Sequence, residues 1–200
     1  MRIVKDIAAL EALYDRPSPL SLAKVAQSLT PLYCDWIAAA RFCILSTVGP
    51  NGTDASPRGD DGPVVRIVDE RTLWLPDWRG NNRLDCLRNI VIDGRVSLLF
   101  MVAGSSNVVR VNAHAVLCDD PAVTQTFAQG GSHPKLVIIF AVDEVYFQCA
   151  KAILRAGLWS DAHAPTGLPT AGQFLKEMDG DFDAQSYDLT YPTDAQKRMW

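Results

Sequence analysis

A mainly β chain with flanking helices and antiparallel strands is predicted by three features of the sequence. Short apolar runs succeed one another between residues 42 and 147, joined by hairpin-length turns. Few helical stretches interrupt them, and the strand–helix–strand alternation of a parallel sheet is absent. One long run alternates as a half-covered strand does: Val109, Val111, Ala113 and Ala115 fall on one side, and Arg110, Asn112 and His114 on the other. Six or more such strands with short connections predict an antiparallel barrel.

Three short helices precede the strands. Ile3, Ile7, Leu10, Leu13 and Tyr14 share a helical face over residues 3–14, and Arg16-Pro17-Ser18-Pro19 breaks it. Ser18 or Ser21 can cap a second helix that reaches Leu29. Thr30-Pro31 gives a cap and a proline at the first helical position of a third, running to about Ala40. Residues 1–40 therefore read as an N-terminal helical cover. Phe42–Val48 is the first strand, Gly49-Pro50-Asn51-Gly52 a hairpin turn, and Thr53–Ser56 the returning strand. The polar cluster Ser56–Gly62 reads as a turn. Val64–Val68 and Thr72–Leu75 form a second hairpin around Asp69-Glu70-Arg71.

An amphipathic helix follows, with Leu84, Leu87, Ile90 and Val91 at helical spacing, Asn81 or Asn82 as its cap and Asp93-Gly94 as its stop. Val96–Val102, Val108–Leu117 and Lys135–Phe147 are the remaining strands, with a short helix over Asp119–Ala128. Leu154–Trp159 reads as a short helix closing a barrel domain of residues 41–160. In the extension, residues 161–200, Pro165, Gly167, Pro169 and Gly172 mark loop and Gln173–Met178 a short helix. The acidic end is either a frayed tail or a lid or arm on a partner subunit, because Phe182, Tyr187, Tyr191 and Trp200 are costly to leave in water.

Composition narrows the function. The 200 residues carry a net charge of -4, which gives no support for nucleic-acid binding. No apolar run reaches the ~18 residues of a membrane span, and the start of the chain lacks a signal-peptide core, so a cytoplasmic location is expected. The five cysteines are widely spaced with no Cys-x-x-Cys, which predicts reduced, buried thiols, Cys149 among them. The three histidines are scattered, and no metal site is expected. Nor does a Ser-His-Asp set, a pair of catalytic carboxylates or an activated thiol stand out.

Two polar clusters carry the chemistry that the residues suggest. Arg83 would fall in the first turn of the helix capped by Asn81 or Asn82, where a cation opposes the helix dipole unless an anion sits between it and the free N–H groups. In Ser56-Pro57-Arg58-Gly59-Asp60-Asp61-Gly62, Arg58 offers a planar fork suited to phosphate. Gly59 and Gly62 allow close backbone approach, and Asp60 can orient Arg58 or accept from a ring N–H. Two arginine-bearing turns beside strand ends suggest one anionic ligand.

The ordered set SPRGD, GNNRLDCLRNI, GRVSLLF, RVNAHA and EVYFQCAKAILRAGLW resembles the pyridoxamine 5′-phosphate oxidase-like flavoproteins over about residues 30–160. That resemblance implies an FMN-binding split β-barrel, a six-stranded antiparallel Greek-key barrel, and a homodimer with two FMN sites at the subunit interface. It implies that Arg58, Asn81, Asn82 and Arg83 hold the phosphate and ribityl chain, with Gly59 and Asp60 in the same turn and Pro76 and Asp77 lining the flavin. Arg110 and Asn112 would approach the FMN of the other subunit, and Lys151, Arg155 and Trp159 would close the site. The Arg-x-His-x-Arg motif of authentic pyridoxamine-phosphate oxidases is replaced here by the stretch from Cys149 to Arg155, so the resemblance stops short of vitamin B6 oxidation. An FMN-dependent oxidoreductase acting on a small-molecule substrate is expected, its redox chemistry supplied by the flavin. The alternative is a non-catalytic carrier or sensor that binds flavin, haem or a deazaflavin.

Overall fold

The computed structural model describes residues 1–160 and 166–200; His163 and the expected loop residue Pro165 lie outside them. One antiparallel sheet of seven strands forms the body: β1 Phe42–Gly49, β2 Gly52–Gly59, β3 Arg66–Asp69, β4 Thr72–Pro76, β5 Arg95–Met101, β6 Val108–Cys118 and β7 Val137–Gln148, in the order β2-β1-β5-β6-β7-β4-β3. Seven strands fall within the six or more read from the sequence and exceed the six of the barrel that the resemblance implies, since the short β3 joins the same sheet beyond β4. Inward side chains of β1, β4, β5, β6 and β7, led by Leu45, Leu73, Phe100, Val111 and Phe140, meet in one core. The alternation of β6 is as expected, with Val109, Val111, Ala113 and Ala115 buried. β2 and β3 end the sheet without pairing with each other. The chain between them is tied instead to the start of β1, through Asp60 N–H to Arg41 O at 3.0 Å and Val64 N–H to Ala40 O at 2.9 Å.

Three helices precede the sheet, α1 Ile7–Glu11, α2 Pro19–Ala23 and α3 Pro31–Ala38. The first is shorter than residues 3–14: its apolar residues stay exposed, and a single turn or two without a packed face propagates poorly. The second stops at Ala23 rather than Leu29, because Ala26 pairs with Val145 of β7 as an isolated bridge. β2 runs to Gly59, past the expected Ser56, since β1 begins at Phe42 and every residue of β2 finds a partner on it. Arg58 is therefore a strand residue and not a turn residue.

The amphipathic helix is α4, Asp85–Ile92, with Leu84 at its N-cap position. Asn81 and Asn82 do not cap it. The Asn81 side chain accepts from Arg83 N–H at 2.9 Å, and Asn82 sits in the left-handed region at φ 59, a conformation asparagine tolerates better than most residues. That local turn delays the helix to Asp85. Arg83 stays outside it, and an acid occupies the first turn, as the dipole favours. α4 packs across β1, β2 and β6.

After β6, α5 (Pro121–Thr124) is capped by Asp120. α6 spans Lys151–Ala156, three residues earlier than expected, and Gly157 ends it in the left-handed conformation at φ 58. α7, Ala171–Met178, opens with Thr170 and Gln173 in a reciprocal capping box. Gly172 is inside this helix and not in a loop. A methyl group there would meet Ala184 O at 2.5 Å, so glycine lets α7 approach the start of α8, Ala184–Gln196. The C-terminal stretch is thus helical, not frayed. Among the described residues no helix is long and apolar enough to cross a membrane.

The thiols divide by environment. Cys43 and Cys86 are buried, Cys34 and Cys118 half-buried, and Cys149 is exposed, against the expectation that it is a buried apolar filler. It falls at the junction of β7 and α6, where β7 has left the sheet core. Burial pushes the Cys43 thiol up to about 12. With a disulfide reagent at pH 8, Cys149 should react first and Cys43 and Cys86 only on unfolding. Mass mapping of the labelled peptides checks the order.

Candidate functional site

Strand register puts Arg58 where it is. Asp54, Ser56 and Arg58 of β2 lie opposite Thr47, Leu45 and Cys43 of β1, three buried positions. Directly opposed residues of an antiparallel pair share a face, so these polar side chains turn inward at the end of the sheet. There α4 meets them. Arg58 Nη2 donates to Cys86 Sγ at 2.8 Å, and Nη1 lies 3.2 Å from a carboxylate oxygen of Asp77. Arg58 Nε is buried with no partner among the described residues. An unmade buried donor costs about 1–3 kcal/mol, so the guanidinium has a standing demand for one more acceptor. Asp77 follows β4 and is tied by its N–H to Leu136 O at 3.0 Å. Burial pushes its carboxyl up from the ordinary range, while Arg58 and Lys135 pull it back.

Arg58 lies in the wall of a cleft of about 560 Å³ between the end of β2, the end of β4 and the turn that follows β4. Arg41, Asp60, Trp78, Arg79 and Trp200 are among its other walls. Asp60 accepts from Trp78 Nε1 at 2.7 Å and from Gln129 Nε2 at 3.0 Å, which fixes the indole of Trp78. Asp61 pairs with Arg41 at the rim. Three arginines line the cleft, Arg58 beside Asp77 and Arg41 paired with Asp61, on a chain of net negative charge. Trp78 and Trp200 meet edge to face, with ring centroids 5.3 Å apart and planes at 82°. Among the described residues no group of histidines, cysteines or acids is arranged to hold a metal ion.

The structure brings together part of the set expected from sequence. Arg58, Gly59, Asp60 and Pro76 line the cleft, and Asp77 joins them through Arg58. Asn81, Asn82 and Arg83 are exposed on the loop just past Gly80, outside the lining, and Arg83 pairs with Asp85 at 2.9 Å. Arg110 and Asn112 lie on the outer face of β6. Arg110 Nη1 reaches the Tyr146 hydroxyl at 3.2 Å while its Nε is buried and unpartnered among the described residues, and Asn112 Nδ2 donates to Glu144 Oε1 at 2.7 Å. Lys151 and Arg155 are exposed on α6, and Trp159 Nε1 donates to Ser105 O at 2.7 Å, so none of the three reaches this cleft within the one chain.

Arg41, Trp78, Arg79, Met199 and Trp200 were not among the residues the sequence singles out as ligands. Trp78-Arg79 carried a readable signal, an aromatic and a cation between Asp77 and Gly80 in a turn-rich stretch. Arg41 carried none and Trp200 only that of an aromatic costly to leave in water, since only the fold brings residues so far apart to one wall.

A family model described as pyridoxamine 5′-phosphate oxidase matches residues 29–149, more than half of the chain. No curated protein sequence matches it significantly. Among solved structures, HupZ of Group A Streptococcus is similar at 18% identity, over 58% of this chain and 91% of that one, with a TM-score of 0.48. A putative pyridoxamine 5′-phosphate oxidase from Lactobacillus delbrueckii shares 20% identity over 60% of this chain and 95% of its own, with a TM-score of 0.48. General Stress Protein 26 from Bacillus anthracis shares 16% identity over 57% and 88%, with a TM-score of 0.44. The matched residues run from before β1 to just past β7 and so include the whole sheet and the Arg58 wall of the cleft. This chain belongs to the pyridoxamine 5′-phosphate oxidase family.

Proposed function

We propose that the cleft binds FMN and that the protein is a homodimeric oxidoreductase acting on a small-molecule substrate. One observation carries the reading: a guanidinium in the cleft wall whose buried Nε has no acceptor among the described residues. A phosphate is the acceptor for which a planar arginine fork is best shaped. The cavity is of cofactor size, and proteins of this family generally bind a flavin. Arg58 and Arg79 would hold the phosphate end, with Asn81, Asn82 and Arg83 beside them at the rim, and Gly59, Pro76 and Asp77 would line the flavin. Arg110, Asn112, Lys151, Arg155 and Trp159 belong in this proposal to the side of the site completed by the second subunit. FMN bound there would supply hydride and electron transfer between a reduced donor and the substrate.

The carrier or sensor reading is the second one. Both acids lining the cleft are already engaged, Asp60 by Trp78 and Gln129 and Asp61 by Arg41, which leaves neither poised as a general acid or base. Titration of the purified protein with FMN and riboflavin, followed by flavin absorbance and fluorescence, tests the proposal. FMN should bind at about one per chain and riboflavin more weakly by roughly tenfold or more, the worth of one charge-assisted contact. Equal affinities would remove the phosphate site. Turnover of NADH or NADPH with an acceptor separates enzyme from carrier.

A further inference from the structure

Trp200 lies far outside the residues shared with the family, yet its indole lines the cleft. α8 carries it there. The helix packs on α7, and from its end Met199 and Trp200 reach back to the cleft. Trp200 sits between Trp78 and the turn at Gly130, where a β-carbon would come within 3.7 Å of its ring. The two indoles are held very differently. Trp78 is fixed through Asp60, which Gln129 also holds. The indole N–H of Trp200 makes no hydrogen bond among the described residues, and its ring meets Trp78 edge to face.

An aromatic ring held by dispersion and an edge-to-face contact alone can be exchanged for another ring of similar size at little cost. We propose that Trp78 is the ring platform of this cleft and that Trp200 is its intramolecular occupant, an indole that a planar ligand ring displaces on binding. The ligand class follows from the surroundings: a flat aromatic ring system bearing an anionic tail, the ring against Trp78 and the anion towards Arg58 and Arg79. This inference rests on the flavin reading and deepens it. Trp200 leaves the rest of the cleft open but fills the ring position beside Trp78, so the apparent affinity is the intrinsic one reduced by the fraction of molecules with Trp200 withdrawn.

The test compares the full-length protein with Trp200→Ala and Trp200→Phe, using FMN and riboflavin as ligands. The worth of one aromatic pair predicts that Trp200→Ala tightens both flavins by about two- to tenfold. Trp200→Phe, which keeps a ring, should stay near the parent. Biosynthetic 5-fluorotryptophan adds a readout that needs no ligand. The chain has five tryptophans, and the ¹⁹F resonance of Trp78, assigned with Trp78→Phe, should shift when Trp200 is removed. Adding FMN to the parent should move the Trp200 resonance to a solvent-exposed position. Weaker or unchanged flavin binding by Trp200→Ala, or an unmoved Trp78 resonance, overturns the proposal. If neither protein binds flavin while the Trp78 resonance shifts, the occluding indole stands and flavin is removed as its ligand.

Discussion

Arg58→Ala is expected to weaken FMN binding by roughly ten- to a hundredfold, because the substitution removes charge-assisted hydrogen bonds worth about 1.5–3 kcal/mol. The position explains why the loss should be large. The side chain is only 22% exposed, so water cannot replace the guanidinium well, and its buried Nε has no acceptor among the described residues. Riboflavin, without a phosphate, should lose little. Removing the cation also leaves Asp77 without the partner that offsets its burial, so the fold must be followed separately. Arg58→Lys is the companion variant. It keeps the charge and gives up the fork, and it should fall between parent and alanine for FMN. Arg79→Ala, at the rim, should cost less. Calorimetric titration with both flavins reads all of these, and equal losses for FMN and riboflavin in Arg58→Ala would place the phosphate elsewhere.

Phe100→Ala should lower the stability by about 3–5 kcal/mol, the cost of a cavity left by a large aromatic in a packed core. Phe100 is fully buried near the end of β5. Its neighbours across the sheet are Cys43 on β1 and Val109 on β6, and Cys43 is in turn the partner of Arg58. The cavity would open one strand away from the cleft wall. For a chain of this length each kcal/mol moves the melting temperature by about 2–4 °C, so a fall of roughly 6–20 °C is expected in a thermal scan. Phe100→Leu, which leaves a smaller void, should cost much less. A melting temperature unchanged in Phe100→Ala would mean that the core collapses around the site.

The sheet was legible because its signals are local. The β6 alternation, the Gly49–Gly52 turn and the Asp93-Gly94 stop each fix an element from a few neighbouring residues. The errors came where a distant partner decides. β2 looked too polar to be a strand beyond Ser56, yet β1 pairs with it through Gly59 and turns Arg58 inward. The helix start was misread because Asn81 spends its side chain on Arg83 N–H and Asn82 turns left-handed, a competition between two local hydrogen-bonding options that composition does not rank. In the site, Arg58 could be singled out by its glycine- and acid-rich neighbours. Arg41 and Trp200 are 159 positions apart in a chain whose numbering alone says nothing of their meeting.

Both ends of the sheet are poor templates for another strand. β3 has four residues and a bulge between Ile67 and Asp69, and β2 carries Pro57, a residue without an N–H to offer. Short, bulged or proline-bearing edges are how sheets discourage fibre growth and strand exchange. The protein should therefore resist edge-on aggregation even when concentrated. Any copy of itself that it meets productively must meet it across the broad faces of the sheet and its helices, where side chains rather than backbone do the recognising.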